Sequence, residues 1–150
     1  MIRLSRKMQL ALEAVVDIAY NARPDPVQSK EITKRQGVPQ RYLEQVMQQL
    51  VHKGILRGVR GPRGGYRLAK ERRRITVREI VEVVAELEAS EDPDQESASP
   101  LAEKVIRPVL ERAMNDLLAE LDAITVEDLC DRASHENVPR ANGVRQDFTI

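Results

Sequence analysis

The sequence predicts a mainly α-helical chain: a winged helix-turn-helix with a two-stranded wing, followed by a long C-terminal helix suited to dimerisation. Three observations predict it. Residues 29–53 read as a short helix, a glycine turn and a longer amphipathic helix. Residues 55–68 then read as two short strands around Gly61-Pro62-Arg63-Gly64-Gly65. Residues 99–123 carry a broad apolar face along about 36 Å of helix, at 1.5 Å per residue. One small domain cannot cover that length alone.

The elements follow in order. Ser5 to Ala22 forms the first helix, with Met8, Ala11, Leu12, Val15, Ile18, Ala19 and Ala22 in one stripe. Leu10, Ala14 and Val16 widen that stripe past half the circumference, so two surfaces must cover it. One is the helix's own domain and the other is expected to be a second subunit. Arg3, Arg6 and Lys7 begin this helix, where cations oppose its dipole. They are either phosphate contacts or solvated surface.

Asn21 to Pro26 is a loop, and Val27-Gln28 can lend a brief strand to the wing. Ser29 suits an N-cap for a helix over 30–36. Gly37-Val38-Pro39 turns the chain, with Pro39 suited to the first position of a helix over 39–53. In that helix Leu43, Val46, Met47, Leu50 and Val51 form the apolar stripe. Gly54 is placed to cap it in a left-handed conformation.

After the wing, Lys70 to Arg74 is a basic turn. Ile75 to Glu88 is a helix, capped by Thr76 with Glu79 three residues on. Residues 1–88 thus make the winged helix-turn-helix domain, and the acidic residues 89–99 make a flexible loop. Residues 100–133 make a dimerisation helix and a short helix capped by Thr125 with Asp128. Pro108 should kink the long helix near Lys104, or the regular part should start at Arg107-Pro108. Leu101, Val105, Val109, Ala113, Leu117 and Leu121 are the dimerisation candidates. Residues 134–150 show no pattern and read as a disordered tail.

Composition limits the function. The hydrophobic fraction of 41% supports a core, and aromatic content of 3% suits a helical protein. No apolar run spans a membrane, and a single cysteine makes the cytoplasm the default location. The net charge of zero hides an asymmetry. Residues 1–80 hold 18 Lys/Arg against 7 Asp/Glu, and residues 81–150 hold 6 against 17. The first half therefore either meets a polyanion or attracts its own second half.

The outward face of the 39–53 helix carries Gln40, Arg41, Tyr42, Glu44, Gln45, Gln48, Gln49 and His52. Gln and Arg make bidentate contacts to base edges, and Glu accepts from cytosine N4. An ordinary exposed helix would more often carry Lys/Glu pairs. Arg57, Arg60 and Arg63 on the hairpin suit a phosphate backbone or a narrow minor groove. Gly61, Gly64 and Gly65 allow positive φ or close backbone approach. The glycine cluster lacks Walker spacing and precedes a strand, so it is no nucleotide loop. No catalytic constellation is present, and His52 and His135 are too isolated for a metal site. Lys7, Ser29 and Lys30 complete the candidate DNA contacts.

Four segments carry a resemblance. They are 39–45 (PQRYLEQ), 59–68 (VRGPRGGYRL), 75–80 (ITVREI) and 124–129 (ITVEDL). Together they resemble the Rrf-two (Rrf2) family of bacterial transcriptional regulators over about residues 2–133. The resemblance implies a winged-helix homodimer on a pseudo-palindromic operator in double-stranded DNA, joined by the long helix. It implies that Tyr42, Glu44 and Gln45 read bases and that Arg60 enters a minor groove.

Cluster-binding members hold three cysteines in and just after the segment that here is Ala89–Lys104, which has none. Its carboxylates and serines are poor ligands for iron–sulfur. Cys130 either packs beside Val126 and Leu129 or serves as a single-thiol switch. The expectation is thus a homodimeric repressor with no iron–sulfur cofactor. The alternatives are a regulator switched by a small-molecule effector, a thiol or a protein partner, and an interaction module that binds no DNA.

Overall fold

A computed structural model of the chain describes residues 3–91 and 99–141. Helix α1, Arg6–Tyr20, starts at Ser5, whose Oγ accepts from the Met8 N–H at 3.2 Å. It lies at the centre of the fold, against α2 (Ser29–Gln36), α3 (Gln40–His52), α4 (Val77–Glu91), α6 (Val126–His135) and the second wing strand. Leu10, Ala11, Ala14, Val15, Ile18 and Ala19 are buried there. The second subunit expected on its other apolar side is not needed for this burial: α4 and α6 of the same chain cover it. Leu12, Val16 and Tyr20 stay half-buried beside a cavity of about 700 Å³ that opens towards α6.

Helix α2 starts one residue earlier than expected. Gln28, not Ser29, stands at its cap, and the Gln28 N–H donates to Glu31 Oε2 at 2.9 Å. Gly37, at φ 64°, ends it. Pro39 sits at the cap of α3 rather than in its first turn, a difference of one residue. Gly54 ends α3 at φ 76°. Its N–H donates to the Val51 carbonyl at 3.1 Å and the Ile55 N–H to the Leu50 carbonyl at 3.0 Å, a Schellman pair.

The wing is the antiparallel pair β1 (Leu56–Val59) and β2 (Gly65–Leu68), with Leu56 opposite Leu68 and Val59 opposite Gly65. Val27 joins it through two hydrogen bonds with Tyr66, at 3.0 and 2.7 Å. A single 3-10 turn, Arg72–Arg74, leads to buried Ile75. Thr76 then caps α4 by accepting from the Glu79 N–H at 3.2 Å. Ala89, Ser90 and Glu91 belong to α4 and not to a loop. The rest of the expected acidic loop, 92–98, lies outside the described residues.

The long helix starts at Pro100, and Ser99 Oγ accepts from the Ala102 N–H at 3.1 Å. Ala102–Ile106 is a π-helical turn, and α5, Arg107–Asp122, is regular. Proline lacks the N–H for its bond and its ring clashes with the carbonyl four residues back. The extra residue of a π turn moves that carbonyl aside. Of the two expected outcomes for Pro108, the later start of the regular helix is the one observed.

Two Ile-Thr-Val segments then lock together. The Val77 N–H donates to the Ile124 carbonyl at 2.9 Å, and the Val126 N–H to the Ile75 carbonyl at 2.8 Å. Thr125 caps α6 reciprocally with Asp128. This lock returns the chain to the winged domain, so Val126 and Cys130 join the core with α1 and α3. The expected disordered tail does not begin at residue 134. Helix α6 runs to His135, and residues 136–141 lie back on α1. Tyr20 Oη donates to the Val138 carbonyl at 2.7 Å, and the Ala141 N–H donates to Asn21 Oδ1 at 2.7 Å. The Arg140 guanidinium stands 4.5 Å above the Tyr20 ring. Residues 142–150 lie outside the described residues.

Candidate nucleic-acid interface

Helix α3 aims its polar face by burying the other. Leu43, Val46, Met47 and Leu50 enter the core. Gln40, Arg41, Tyr42, Glu44, Gln45 and Gln48 are therefore exposed, Tyr42 at 52%. Gln40 Nε2 donates to Glu44 Oε1 at 3.1 Å along this face. Ser29 is half-buried at the start of α2, and Lys30 beside it is exposed. Arg57, Arg60, Gly61 and Arg63 are exposed on the wing. The wing glycines serve two different ends. Gly61 turns at φ 112°. A Cβ on Gly64 would overlap the Val59 carbonyl oxygen, and one on Gly65 the Val27 carbonyl oxygen. Those two permit close packing of the hairpin.

Interactions between residues far apart in sequence hold this surface in place, and none was visible in the sequence. The buried Asp17 carboxylate on α1 accepts from Arg35 Nη2 at 2.7 Å, Arg35 Nε at 2.9 Å and Gln36 Nε2 at 2.8 Å. That fixes the end of α2 against α1. The Asp17 hydrogen bonds also hold the Arg35 guanidinium pKa above its ordinary value. Burial pushes the Glu31 carboxyl up, but Arg23, the Gln28 N–H and Arg35 more than offset it, so it sits below the usual range. Arg67 donates to the carbonyls of Arg23 and Pro24 and ties the wing to the 21–26 loop. Arg67 is therefore a scaffold arginine, unlike its exposed neighbours.

Lys7, expected to meet phosphate, has an internal partner. Its Nζ lies 2.6 Å from Glu91 Oε2. Gln45 Nε2 donates to Oε1 of the same carboxylate at 2.9 Å. Of the dimerisation candidates, Leu101, Val105, Val109, Ala113 and Leu117 are exposed, while Leu121 is half-buried. Ile106, Leu110 and Met114 extend the exposed apolar face. Cys130 is 2% exposed, and burial pushes its thiol up from the ordinary value. A buried, protonated thiol is a poor nucleophile.

The model of the Rrf2 family, described as an iron-dependent transcriptional regulator, matches residues 4–132. The chain belongs to the Rrf2 family. This Rrf2 protein is similar to the HTH-type transcriptional regulator IscR of Salmonella newport (strain SL254), at 33% identity over 97% of this chain and 94% of the relative. Among solved structures it is similar to T. potens IscR, with a TM-score of 0.72, 30% identity and 93% of both chains covered. It is also similar to CymR, the global cysteine regulator of B. subtilis, with a TM-score of 0.64 and 27% identity. That match covers 88% of this chain and 98% of the other. The Rrf2 protein is thus a DNA-binding transcriptional regulator with a winged-helix fold, and not an enzyme.

The family description implies iron, but the donors here do not fit an iron–sulfur cluster. Thiolates hold such clusters, and the sequence has one cysteine, Cys130, on the buried side of α6. Among the described residues no three His, Cys, Asp or Glu side chains are grouped to hold a metal. No described helix is long and apolar enough to cross a membrane.

Proposed function

We propose that this Rrf2 regulator is a cytoplasmic homodimeric repressor that binds a pseudo-palindromic operator without an iron–sulfur cluster. The exposed polar face of α3, fixed by its buried face and flanked by the arginine wing, carries the reading. Tyr42, Glu44 and Gln45 read base edges, with Gln40, Arg41 and Gln48 beside them. Lys7, Ser29, Lys30, Arg57 and Arg63 hold phosphates, and Arg60 enters the minor groove. A second copy covers the apolar face of α5, which is isologous and sets a two-fold axis. Two α3 helices then enter successive major grooves about 34 Å apart. A dimer on an operator blocks polymerase where the two sites overlap.

The test is selection of binding sites from random duplex DNA, followed by titration against salt. The expected result is one enriched palindrome. If each subunit neutralises roughly four phosphates, log affinity falls with log salt at a slope of about −7. No enrichment, with a slope near zero, would leave an interaction module that binds no DNA.

The cavity beside α1 favours a second reading, a regulator switched by a small molecule. Its volume of about 700 Å³ lies within the usual range of ligand pockets, and Leu12, Val16, Leu129, Ala133 and Val138 line it. Ala133→Trp would fill it, and a switched regulator would then lose its response while keeping its operator.

A further inference from the structure

Glu91 ends α4, and its carboxylate reaches across to the surface assigned to DNA. It accepts Lys7 Nζ at 2.6 Å on Oε2 and 2.8 Å on Oε1. It accepts Gln45 Nε2 at 2.9 Å on Oε1. One turn earlier Glu88 accepts Ser5 Oγ at 2.5 Å, and Glu86 holds Lys53 Nζ at 2.9 Å. The acidic side of α4 thus grips the start of α1, the middle of α3 at Gln45 and its C-cap at Lys53. Only Glu91 takes two groups that the reading above gives to DNA.

Helix stability does not explain its place. A carboxylate in the last turn of a helix faces the negative end of the dipole, and α4 has no basic residue in that turn. The Lys7 hydrogen bond keeps Glu91 ionised, with its carboxyl below the ordinary value. The pair is only partly shielded, with side chains 21% and 40% exposed. Such a pair is weak enough for a phosphate to replace. A carboxylate left facing a phosphate also repels it.

We propose that Glu91 is an internal competitor of DNA: it occupies Lys7 and Gln45 in the free protein, and the operator must displace it to use them. Glu91 thereby sets operator affinity, and the last turn of α4 becomes a control point. Any change that draws it away from α3 tightens binding. The proposal rests on the DNA reading of Lys7 and Gln45.

The test compares wild type, Glu91→Ala, Glu91→Gln and Lys7→Ala by fluorescence anisotropy with operator and unrelated duplexes across salt. Glu91→Ala frees both partners, while Glu91→Gln keeps an acceptor for Gln45 but drops the charge. Glu91→Ala is expected to bind about two- to tenfold tighter. Its salt slope should steepen by about 0.9, the mark of one more neutralised phosphate. Glu91→Gln should fall between it and wild type, and in a Lys7→Ala background the gain should shrink. Equal or weaker binding by both Glu91 variants would overturn the proposal; weaker binding would make Glu91 a residue that orients Gln45 for reading. If Lys7→Ala also leaves affinity unchanged, the DNA assignment of Lys7 itself has failed. If Lys7→Ala weakens binding while both Glu91 variants match wild type, only the competition has failed.

Discussion

Asp17 is the residue on which the helix-turn-helix geometry depends most. Its carboxylate is fully buried, and three hydrogen bonds from Arg35 and Gln36 satisfy it. Taking one partner away leaves a charge in the core, so Arg35→Ala should cost about 3–5 kcal/mol. Urea unfolding would measure it, and a cost below about 1 kcal/mol would mean that the pair is solvated like an ordinary surface bridge. Arg35→Lys should recover little, because lysine cannot match the two-pronged contact. In the sequence Asp17 stands out only as a charge inside an apolar stretch, with a partner 18 residues away. Local devices were easier to read. Thr76, Thr125 and Gly54 act within four residues of themselves, so their spacing alone predicted their roles. Propensity favours Ser29 as the helix cap, whereas the Glu31 carboxylate selects Gln28.

At the scale of elements, the proposed reading divides the work of binding between α3 and the wing. Glu44 is exposed and accepts from Gln40 Nε2 on the same face. Glu44→Ala should therefore leave the fold and non-specific affinity nearly unchanged while relaxing preference at one base pair, by about 1–3 kcal/mol of discrimination. Arg60 is exposed at the wing tip, just after β1. Arg60→Ala should weaken all sequences together and lower the salt slope by about 1. Parallel titrations on selected and scrambled duplexes distinguish the two effects. Loss of folding in Glu44→Ala would reverse the outward assignment of α3. The apolar periodicity of α3 was legible because its core contacts repeat along one helix. The π turn before Pro108 was legible only as an irregularity, since the sequence names the clash but not its relief. The docked segment 136–141 was not legible at all. Its anchors are a tyrosine hydroxyl, an asparagine and a ring face on α1, which leave no periodic trace.

For the whole molecule, the proposed dimer accounts for charge and apolar surface together. Basic residues gather at the start of α1, on α2, on the wing and in the 3-10 turn, and acidic ones on α4 to α6. A two-fold pair joined along α5 would set two basic faces side by side and keep the acidic helices between them. Leu110 is 62% exposed, so its replacement disturbs little within the chain. Leu110→Glu should therefore unfold at nearly the monomer's own midpoint, yet sediment as a monomer. An isologous seam uses the same patch of both copies, so one substitution puts two carboxylates into it. Affinity for a half-site should then be unchanged, and affinity for the full palindrome should fall to the half-site value. A variant that stays dimeric would place the axis on another surface. In that case the spacing of the two α3 helices, and with it the half-site separation of about 34 Å, would have to be set by α1 or α6 rather than by α5.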